Sequence, residues 1–402
     1  MAEIIFYGAG SYARDNIKSW IKHGWNPVYF ADADEEKWGG FLEDIKIVSL
    51  NQALNEYPDC KIVITVNSNF KSVYDFLVSY GVAEKRLDFI IPREFRKGCS
   101  LIGRNLQYIS GNIIRPCCYA HGYVEYCENE TFEQHLAVFK KKNAEILDGL
   151  RNGTHTSCDG CVELVSDWWE TNPKLDCVSL ATGFRGDACN ARCIYCNSTE
   201  LLAKSRQAKF STLDILKGLK RVEDLPNIAI IFNNGEFTIN PDREAIIKIW
   251  KDTGFWGLVL TNAIRYESGL ESLLKSGRAE INCSLDSGSK ATFRKIKGVD
   301  AFEKVCSNLQ KYASFGQVTL KYILMKNVND NPVDINGFVE FAEKIKAKVL
   351  ISRDTTGRKN LDDMELENIK HLVSECRKRD IDFNFPLDVF NDCDVKTVED
   401  LL

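Results

Sequence analysis

Cys189-Asn190-Ala191-Arg192-Cys193-Ile194-Tyr195-Cys196 places three thiols within eight residues, spaced C-x3-C-x2-C. Three thiolates on one short loop can bind three irons of a four-iron cluster. The fourth iron then keeps an open position, as reactive centres do and structural ones do not. A zinc knuckle suits the same spacing, because zinc and iron–sulfur centres both accept thiolate sets. Just upstream, Cys177-Val178-Ser179-Leu180 reads as a short strand. Downstream, Ile228–Phe232, Gly257–Thr261, Glu280–Leu285, Val318–Leu324 and Lys348–Ile351 read as further strands, with helical patterns such as Asp242–Lys251 and Asp334–Ile345 between them. Alternating strands and helices imply an α/β fold with a parallel sheet. Six strands with their helices predict a barrel or partial (β/α)6 barrel over residues 176–402.

Further motifs stand at the ends of these strands. Asn234-Gly235-Glu236-Phe237-Thr238-Ile239-Asn240-Pro241 follows the second, Thr261-Asn262-Ala263 ends the third and Ser284-Leu285-Asp286-Ser287 ends the fourth. Lys295-Ile296-Lys297-Gly298 comes next. With the cysteine loop, and Tyr195 as its aromatic residue, these resemble in order the signatures of the radical S-adenosylmethionine (SAM) superfamily: C-x3-C-x-aromatic-C, Gly-Gly-Glu-Pro, Thr-Asn-Gly, Ser-x-Asp and Lys-Ile-Arg-Gly. The resemblance covers residues 176–355. Asn234 stands where the family has the first glycine, Phe237 where it has proline and Ala263 where it has glycine, while Glu236 and Asn262 are retained.

The resemblance implies that Cys189, Cys193 and Cys196 hold a [4Fe-4S] cluster that binds SAM. Reductive cleavage then yields a 5′-deoxyadenosyl radical, which abstracts hydrogen from a substrate C–H bond. The cofactor carries that step, and the protein supplies position and exclusion of water. Gly235 and Glu236 are placed to hold the methionine ammonium, with Asn262 in the same site. Ser284 and Asp286 are placed near the SAM carboxylate or ribose, and Tyr195 on the adenine. Taken alone, Asp286 reads equally as a helix N-cap. Strand alternation points Cys283 away from Ser284 and into packing.

Cysteine usage separates the middle of the chain. Ten of the 15 cysteines lie from Cys99 to Cys196. Residues 96–175 hold Ile109-Ser110-Gly111-Asn112-Ile113-Ile114-Arg115-Pro116-Cys117-Cys118, then Cys127, and close on Cys158-Asp159-Gly160-Cys161, with a helix expected from about Thr131 to Leu150. A C-x2-C pair with remote cysteines is a metal-site pattern. The Pro-Cys-Cys run and the terminal pair resemble the SPASM auxiliary-cluster module, although that module ordinarily follows the barrel and carries more cysteines. The resemblance implies one auxiliary [4Fe-4S] cluster on Cys158, Cys161, Cys127 and one of Cys117 or Cys118, with Cys99 or Cys177 as substitutes. A zinc site using His121 or His155 is the alternative.

Residues 1–95 again alternate strand and helix: Ile4–Tyr7, Ala13–Ile21, Pro27–Phe30, Cys60–Val66, Phe70–Tyr80. Gly8-Ala9-Gly10-Ser11-Tyr12-Ala13 lies between a strand and a helix, which is G-x-G-x-x-A in its proper context, and Asp32 ends the second strand. The segment resembles Rossmann-like domains of sugar and cell-envelope biosynthesis enzymes. That implies a nucleotide held at Gly8, Gly10 and Asp32; the alternative is a domain that keeps the fold and binds none.

Composition bounds the rest. Apolar residues make up 44% and charged residues 27% of 402, and the net charge is −5, so no electrostatic footprint for nucleic acid appears. No signal peptide and no membrane span are expected. Clustered cysteines in such a chain read as a reduced cytoplasmic metalloprotein. The leading expectation is a radical SAM oxidoreductase or isomerase acting on a small polar substrate, a sugar or nucleotide-linked precursor, by net oxidation or epimerisation. By family analogy its reductant is a flavodoxin or ferredoxin. Arg353 and Asp354 are either substrate contacts or a surface ion pair. Peptide modification of the SPASM type and a non-catalytic iron–sulfur scaffold are the alternatives.

Overall fold

A computed structural model of the chain describes residues 3–110, 113–117, 124–125, 131–161, 163–181, 189–196, 209–354, 360–386, 390 and 392–401. It divides into two compact units, one of Met1–Gly103 with Ala144–Lys174 and one of Arg104–Asn143 with Leu175–Leu402.

The first unit is built on β1 (Ile4–Tyr7), β2 (Pro27–Ala31), β3 (Phe41–Leu42), β4 (Ile45–Val48), β5 (Lys61–Ile64) and β6 (Leu87–Phe89), in the order β3-β4-β2-β1-β5-β6. All pairs are parallel except β3 with β4. β1 reads Ile-Ile-Phe-Tyr and buries its last three side chains, as a central parallel strand covered on both faces must. Ile5, Ile62, Ile64 and Leu77 fill the core on one side, and Phe6, Ala13, Ile17 and Phe30 the core on the other. β7 (Arg93–Gly98) pairs antiparallel with Val165–Glu170, β11 in chain order.

The second unit contains a ten-stranded sheet. Its strands are β8 (Asn105–Ser110), β9 (Ile113–Arg115), β10 (Val124–Glu125), β12 (Cys177–Ala181), β13 (Ala229–Asn233), β14 (Gly257–Leu260), β15 (Ala279–Ser284), β16 (Val318–Leu324), β17 (Lys348–Arg353) and β18 (Phe383–Asn384). The order is β10-β9-β8-β12-β13-β14-β15-β16-β17-β18, parallel from β8 onward. β15 alternates buried and half-buried along its length, so its inward face enters one core with Trp250, Tyr312 and Phe338. Helices are punctuated as their sequences require. Ser211 with Asp214, and Asp362 with Glu365, form capping boxes, and Gly254 and Gly298 close helices in left-handed conformations.

Residues 96–175 do not form a third unit. β8 extends the large sheet as the parallel neighbour of β12, and Phe132, Leu136 and Phe139 of helix Phe132–Asn152 enter its core. The C-terminal part of that helix packs Ile146, Leu147 and Leu150 with Ile102 and Cys158 in the first unit. Apolar burial therefore divides this stretch where cysteine content suggested a separate module.

Candidate active site

Three consecutive strands end in left-handed backbone. Asn234 (φ +45°) and Gly235 (φ +93°) follow β13, Ala263 (φ +55°) follows β14 and Asp286 (φ +59°) follows β15. Glycine adopts this region freely and Asn or Asp with local compensation, whereas alanine costs about 1 kcal/mol or more. Ala263 is held there by two bonds. Its N–H donates to Thr261 Oγ1 at 3.0 Å, and its carbonyl accepts Asn308 Nδ2 at 2.8 Å.

Glu236 lies buried between the first two of these turns. Its Oε1 accepts the Thr238 N–H (3.0 Å), the Thr238 hydroxyl (2.6 Å) and the Thr261 hydroxyl (2.6 Å), and its Oε2 accepts the Asn262 N–H (2.7 Å). The carboxylate thus ties the β13 turn to the β14 turn. Asn262 carries the connection onward: Nδ2 donates to Asn190 Oδ1 at 2.7 Å and to Cys189 Sγ at 3.5 Å. Its Oδ1 accepts the Ile264 N–H, which fixes the amide's orientation.

The cysteine loop is held from its other side by helix Lys290–Lys297. Arg192 N–H donates to the Lys297 carbonyl (2.8 Å) and Ile194 N–H to the Ile296 carbonyl (2.9 Å). These are carbonyls that a helix end leaves without an internal partner. Gly298 allows the approach. A Cβ there would lie 2.9 Å from Arg192 Cβ and 3.0 Å from its carbonyl oxygen, at a φ of +66°.

Beneath the loop sits a buried ion pair. Lys297 Nζ donates to Asp286 Oδ2 (2.5 Å) and to the Tyr195 hydroxyl (2.6 Å), and that hydroxyl donates to Asp286 Oδ2 (2.7 Å). Asp286 Oδ1 accepts the Ile323 N–H of β16, and the Asp286 carbonyl accepts Asn329 Nδ2. Burial pulls the Lys297 ammonium toward neutrality, but Asp286 and Cys193 outweigh it and hold the group above the ordinary lysine range. Burial pushes the Tyr195 phenol far up, reinforced by Asp286.

Of the residues expected to bind SAM, Glu236 and Asp286 accept donors from the protein itself, and Tyr195 packs its ring with Ile296, Ile323, Met325 and Val328 while its hydroxyl joins the ion pair. Ser284 differs. It is half-buried at the end of β15, and its hydroxyl makes no hydrogen bond among those of the described residues. Lys297 and Thr261 are the participants that the sequence reading missed. The only signal for Lys297 was its place in Lys-Ile-Lys-Gly.

The donor set fits an iron–sulfur cluster. Cys189, Cys193 and Cys196 lie on one braced loop, with Cys196 exposed and the other two half-buried. Burial pushes the Cys189 and Cys193 thiols above their ordinary range. Neighbouring thiols add to this, Cys196 at both and Cys189 at Cys193, and a cationic metal centre would draw the protons off. Among the described residues no group of three His, Cys, Asp or Glu side chains is arranged to hold a lone metal ion.

Residues 185–339 match the family model of the radical SAM superfamily. The chain carries a radical SAM domain. The GTP 3′,8-cyclase of Clostridium botulinum (strain Hall) is 31% identical over 153 residues, 37% of this chain and 48% of that protein. The GTP 3′,8-cyclase of Chlorobaculum tepidum is 27% identical over 164 residues, 39% and 48%. The chain therefore spans about half the length of the curated relatives it matches. Among solved structures, Streptococcus suis SuiB bound to precursor peptide SuiA superposes with a TM-score of 0.41 at 15% identity, over 66% of this chain and 56% of that one.

Outside the radical SAM domain, the glycine loop of the first unit makes contacts at Gly8 and is open at Gly10. Gly8 (φ +109°) sits against Thr65 and Val66, and Asp32, expected as a ribose ligand, accepts the Ala9 N–H (2.7 Å) and the Asp34 N–H. Lys37 Nζ lies 3.2 Å from Asp32 Oδ1. Gly10 caps the following helix without a side-chain bond. Of the auxiliary cysteines, Cys158 and Cys161 occupy one tight turn of the first unit, Cys161 N–H donating to the Cys158 carbonyl. Cys117 is buried in the second unit. Cys118, Cys127 and His121 lie outside the described residues. Arg353, at the end of β17, is buried and paired with Asp394 at 3.5 Å, which is not the surface ion pair considered for it. No helix of the described residues is long and apolar enough to cross a membrane.

Proposed function

We propose that the chain is a radical SAM enzyme that takes a hydrogen atom from a small polar substrate carrying a nucleotide, with net oxidation or epimerisation as the outcome. The observation that carries this reading is the loop of Cys189, Cys193 and Cys196, braced by Asn262 on one side and by the Ile296 and Lys297 carbonyls on the other. Cys189, Cys193 and Cys196 would hold a [4Fe-4S] cluster, which would supply the electron for reductive cleavage of SAM. The chain's own residues bind and orient. The Ser284 hydroxyl and the backbone at Gly235 hold SAM's polar groups, while Glu236, Asn262 and Asp286 keep the turns that present them.

The parallel run β12–β17 supports a partial (β/α)6 barrel, and the order of β4, β2, β1, β5 and β6 with the glycine loop supports a Rossmann-like first unit. The relatives named for a GTP reaction favour a nucleotide-bearing substrate. We assign an auxiliary cluster to the Cys158–Cys161 turn, which favours net oxidation over epimerisation. A flavodoxin-type reductant and a reducing cytoplasm complete the proposal.

The test is anaerobic reconstitution with iron and sulfide, followed by dithionite and SAM. The expected result is 5′-deoxyadenosine from the wild type and none from Cys193→Ala, with about eight irons per chain falling to about four in Cys158→Ala/Cys161→Ala. Unchanged iron in that double variant removes the auxiliary cluster. A loaded protein that binds SAM yet forms no 5′-deoxyadenosine, even with cell extract added as substrate source, is a scaffold. Hydrogen abstraction from an added peptide, with none from nucleotide sugars or GTP, would make it a peptide modifier.

A further inference from the structure

We infer that the outer side of the cysteine loop, with the last turn of helix Lys290–Lys297 beside it, is the docking surface for an acidic one-electron carrier protein of the flavodoxin type. This rests on the reading of Cys189, Cys193 and Cys196 as cluster ligands.

Side chains of the loop alternate between its two sides. Arg192, Ile194 and Cys196 are exposed, Ile194 by 57%, while Cys193 and Tyr195 between them are half-buried. The helix beside the loop divides in the same way. Phe293, Ile296 and Lys297 are buried, and Arg294, Lys295 and Gly298 are exposed. Residues four apart share a helix face, so Arg294 stands one turn above Gly298. A Cβ at Gly298 would lie 2.9 Å from Arg192 Cβ, which joins that face to the loop. Lys295 Nζ donates to the Asn327 carbonyl at 3.1 Å, next to Val328, which packs with Tyr195. Arg192, Arg294 and Lys295 thus belong to one surface, with Ile194 on it.

The charges on this surface are uncompensated. Among the described residues none of the three cations pairs with a carboxylate. Arg192 Nη1 donates to the Cys189 carbonyl at 3.1 Å and to the Ala191 carbonyl at 2.9 Å, which places its charge over the loop without neutralising it. The acids that follow the helix, Asp300 and Glu303, are held by Lys290, and Asp362 is held by Lys326. The whole chain has a net charge of −5, so a local excess of cations here runs against its balance. Basic residues in a last helical turn also complement the helix dipole. That accounts for Arg294 and Lys295 but not for Arg192 or the exposed Ile194, which stand on the loop. A cationic surface steers an anionic protein toward it, and an apolar contact with a polar rim suits the small interfaces of electron-transfer encounters. Electron transfer weakens steeply with distance, and this is the outer side of the loop that carries the ligands.

The experiment uses the reconstituted full-length protein, with photoreduced flavodoxin, an acidic flavin protein, as the probe donor. Cys158→Ala/Cys161→Ala is present in every background, so one centre is read. Bleaching of the cluster absorbance is followed by stopped flow. Binding to immobilised oxidised flavodoxin is followed by surface plasmon resonance, which needs no electron transfer. Raising the salt from about 10 mM to about 150 mM shortens the screening length from about 30 Å to about 8 Å, and the wild-type reduction rate is expected to fall about tenfold or more. Arg294→Glu/Lys295→Glu is expected to slow reduction about tenfold or more at low salt and to remove most of the salt dependence. Ile194→Ser is expected to weaken binding and keep that dependence. Arg192 is left in place because it also bonds the loop carbonyls. Reduction by photoreduced deazaflavin, small and uncharged, is expected to be the same in every variant. If the charge-reversed variant loads no iron, Arg294→Gln/Lys295→Gln replaces it, and slowing in the same direction supports the proposal. Wild-type binding and reduction by flavodoxin in the charge variant that loads iron overturn it. So does a loaded wild type that deazaflavin reduces but flavodoxin neither binds nor reduces. A wild type that takes up no iron overturns the ligand assignment and this inference with it, whereas a loaded wild type with unmoved variants overturns the inference alone.

Discussion

Replacing Glu236 by glutamine separates two jobs that an acid in this place can have. As a binder of SAM's ammonium it would face the ligand; as the structure has it, both oxygens face protein donors. The amide can orient in two ways. With its NH2 in the place of Oε1, the Thr238 and Thr261 hydroxyls can rotate to accept, but the Thr238 N–H is left pointing at a donor. With its NH2 in the place of Oε2, the Asn262 N–H suffers instead. Either way one buried backbone N–H loses its acceptor, at about 1–3 kcal/mol. The bonds that remain lose their charge assistance. Relief of burying a carboxylate offsets part of this. The net expectation is a loss of about 2 kcal/mol, or about 4–8 °C in the melting transition of a unit this size.

Differential scanning calorimetry of wild type and Glu236→Gln, both without SAM, measures that loss, and isothermal titration of the reconstituted proteins with SAM measures binding. The transition is expected to fall, with SAM affinity declining only as far as the Asn262 turn loosens. An unmoved transition together with a loss of SAM affinity of about tenfold or more, 1.4 kcal/mol, would refute the reasoning and restore the carboxylate as a ligand group.

Three further perturbations are specific to the site and its unit. Ala263→Gly should relieve a left-handed alanine and raise stability by up to about 1 kcal/mol, read as an upward shift of the same transition. Gly298→Ala should do the reverse, adding the left-handed penalty to a contact with Arg192, so that iron uptake per chain falls while the first unit's melting is unchanged. His135, fully buried beside the Tyr108 ring, has its pKa lowered by burial from the ordinary 6.5 to about 4. The unfolded chain therefore binds a proton that the folded chain refuses, and stability, complete above pH 6.5, should fall by about 3 kcal/mol as pH drops from about 6.5 to about 4. A His135→Phe variant should lack that part of the acid loss in urea unfolding at several pH values.

The strands from Cys177 to Arg353 were legible because each is a short apolar run between turn residues, and alternation such as that of Ala279–Ser284 survives into the fold. β8 was not. Asn105-Leu106-Gln107-Tyr108 does alternate polar and apolar side chains, but the run is short and lies in a stretch read by its cysteines, and its pairing with β12 reveals it. The site residues divide in the same way. The cysteine loop could be named from its spacing, and the acids Glu236 and Asp286 through the resemblance of their motifs to the family's. Their partners could not, because Thr261, Ile323 and Lys297 come from other elements and meet the acids only through the parallel register. The left-handed turns were half-visible: Asn234 and Ala263 were seen as departures from glycine, but the backbone that makes glycine the easier residue there needed coordinates.

That three acids or amides bind inward and not toward a ligand follows from how little else holds the loop. Arg192 and Ile194 are exposed, Ile194 by 57%, and only Ala191 and the Tyr195 ring give the segment apolar anchorage. Apolar burial would in any case hold the loop without orienting it, since it is non-directional. Directional bonds do both. The Arg192 and Ile194 N–H groups on the helix end, Asn262 on Cys189 and Tyr195 on the Lys297–Asp286 pair each fix a different part of the loop. Bonds that fix the loop backbone would leave less ordering entropy to oppose the binding of a cluster. On this argument the buried acids act one layer behind the chemistry: Glu236 through Asn262, and Asp286 through Tyr195. Substituting either should disturb cluster uptake before it disturbs any contact to SAM.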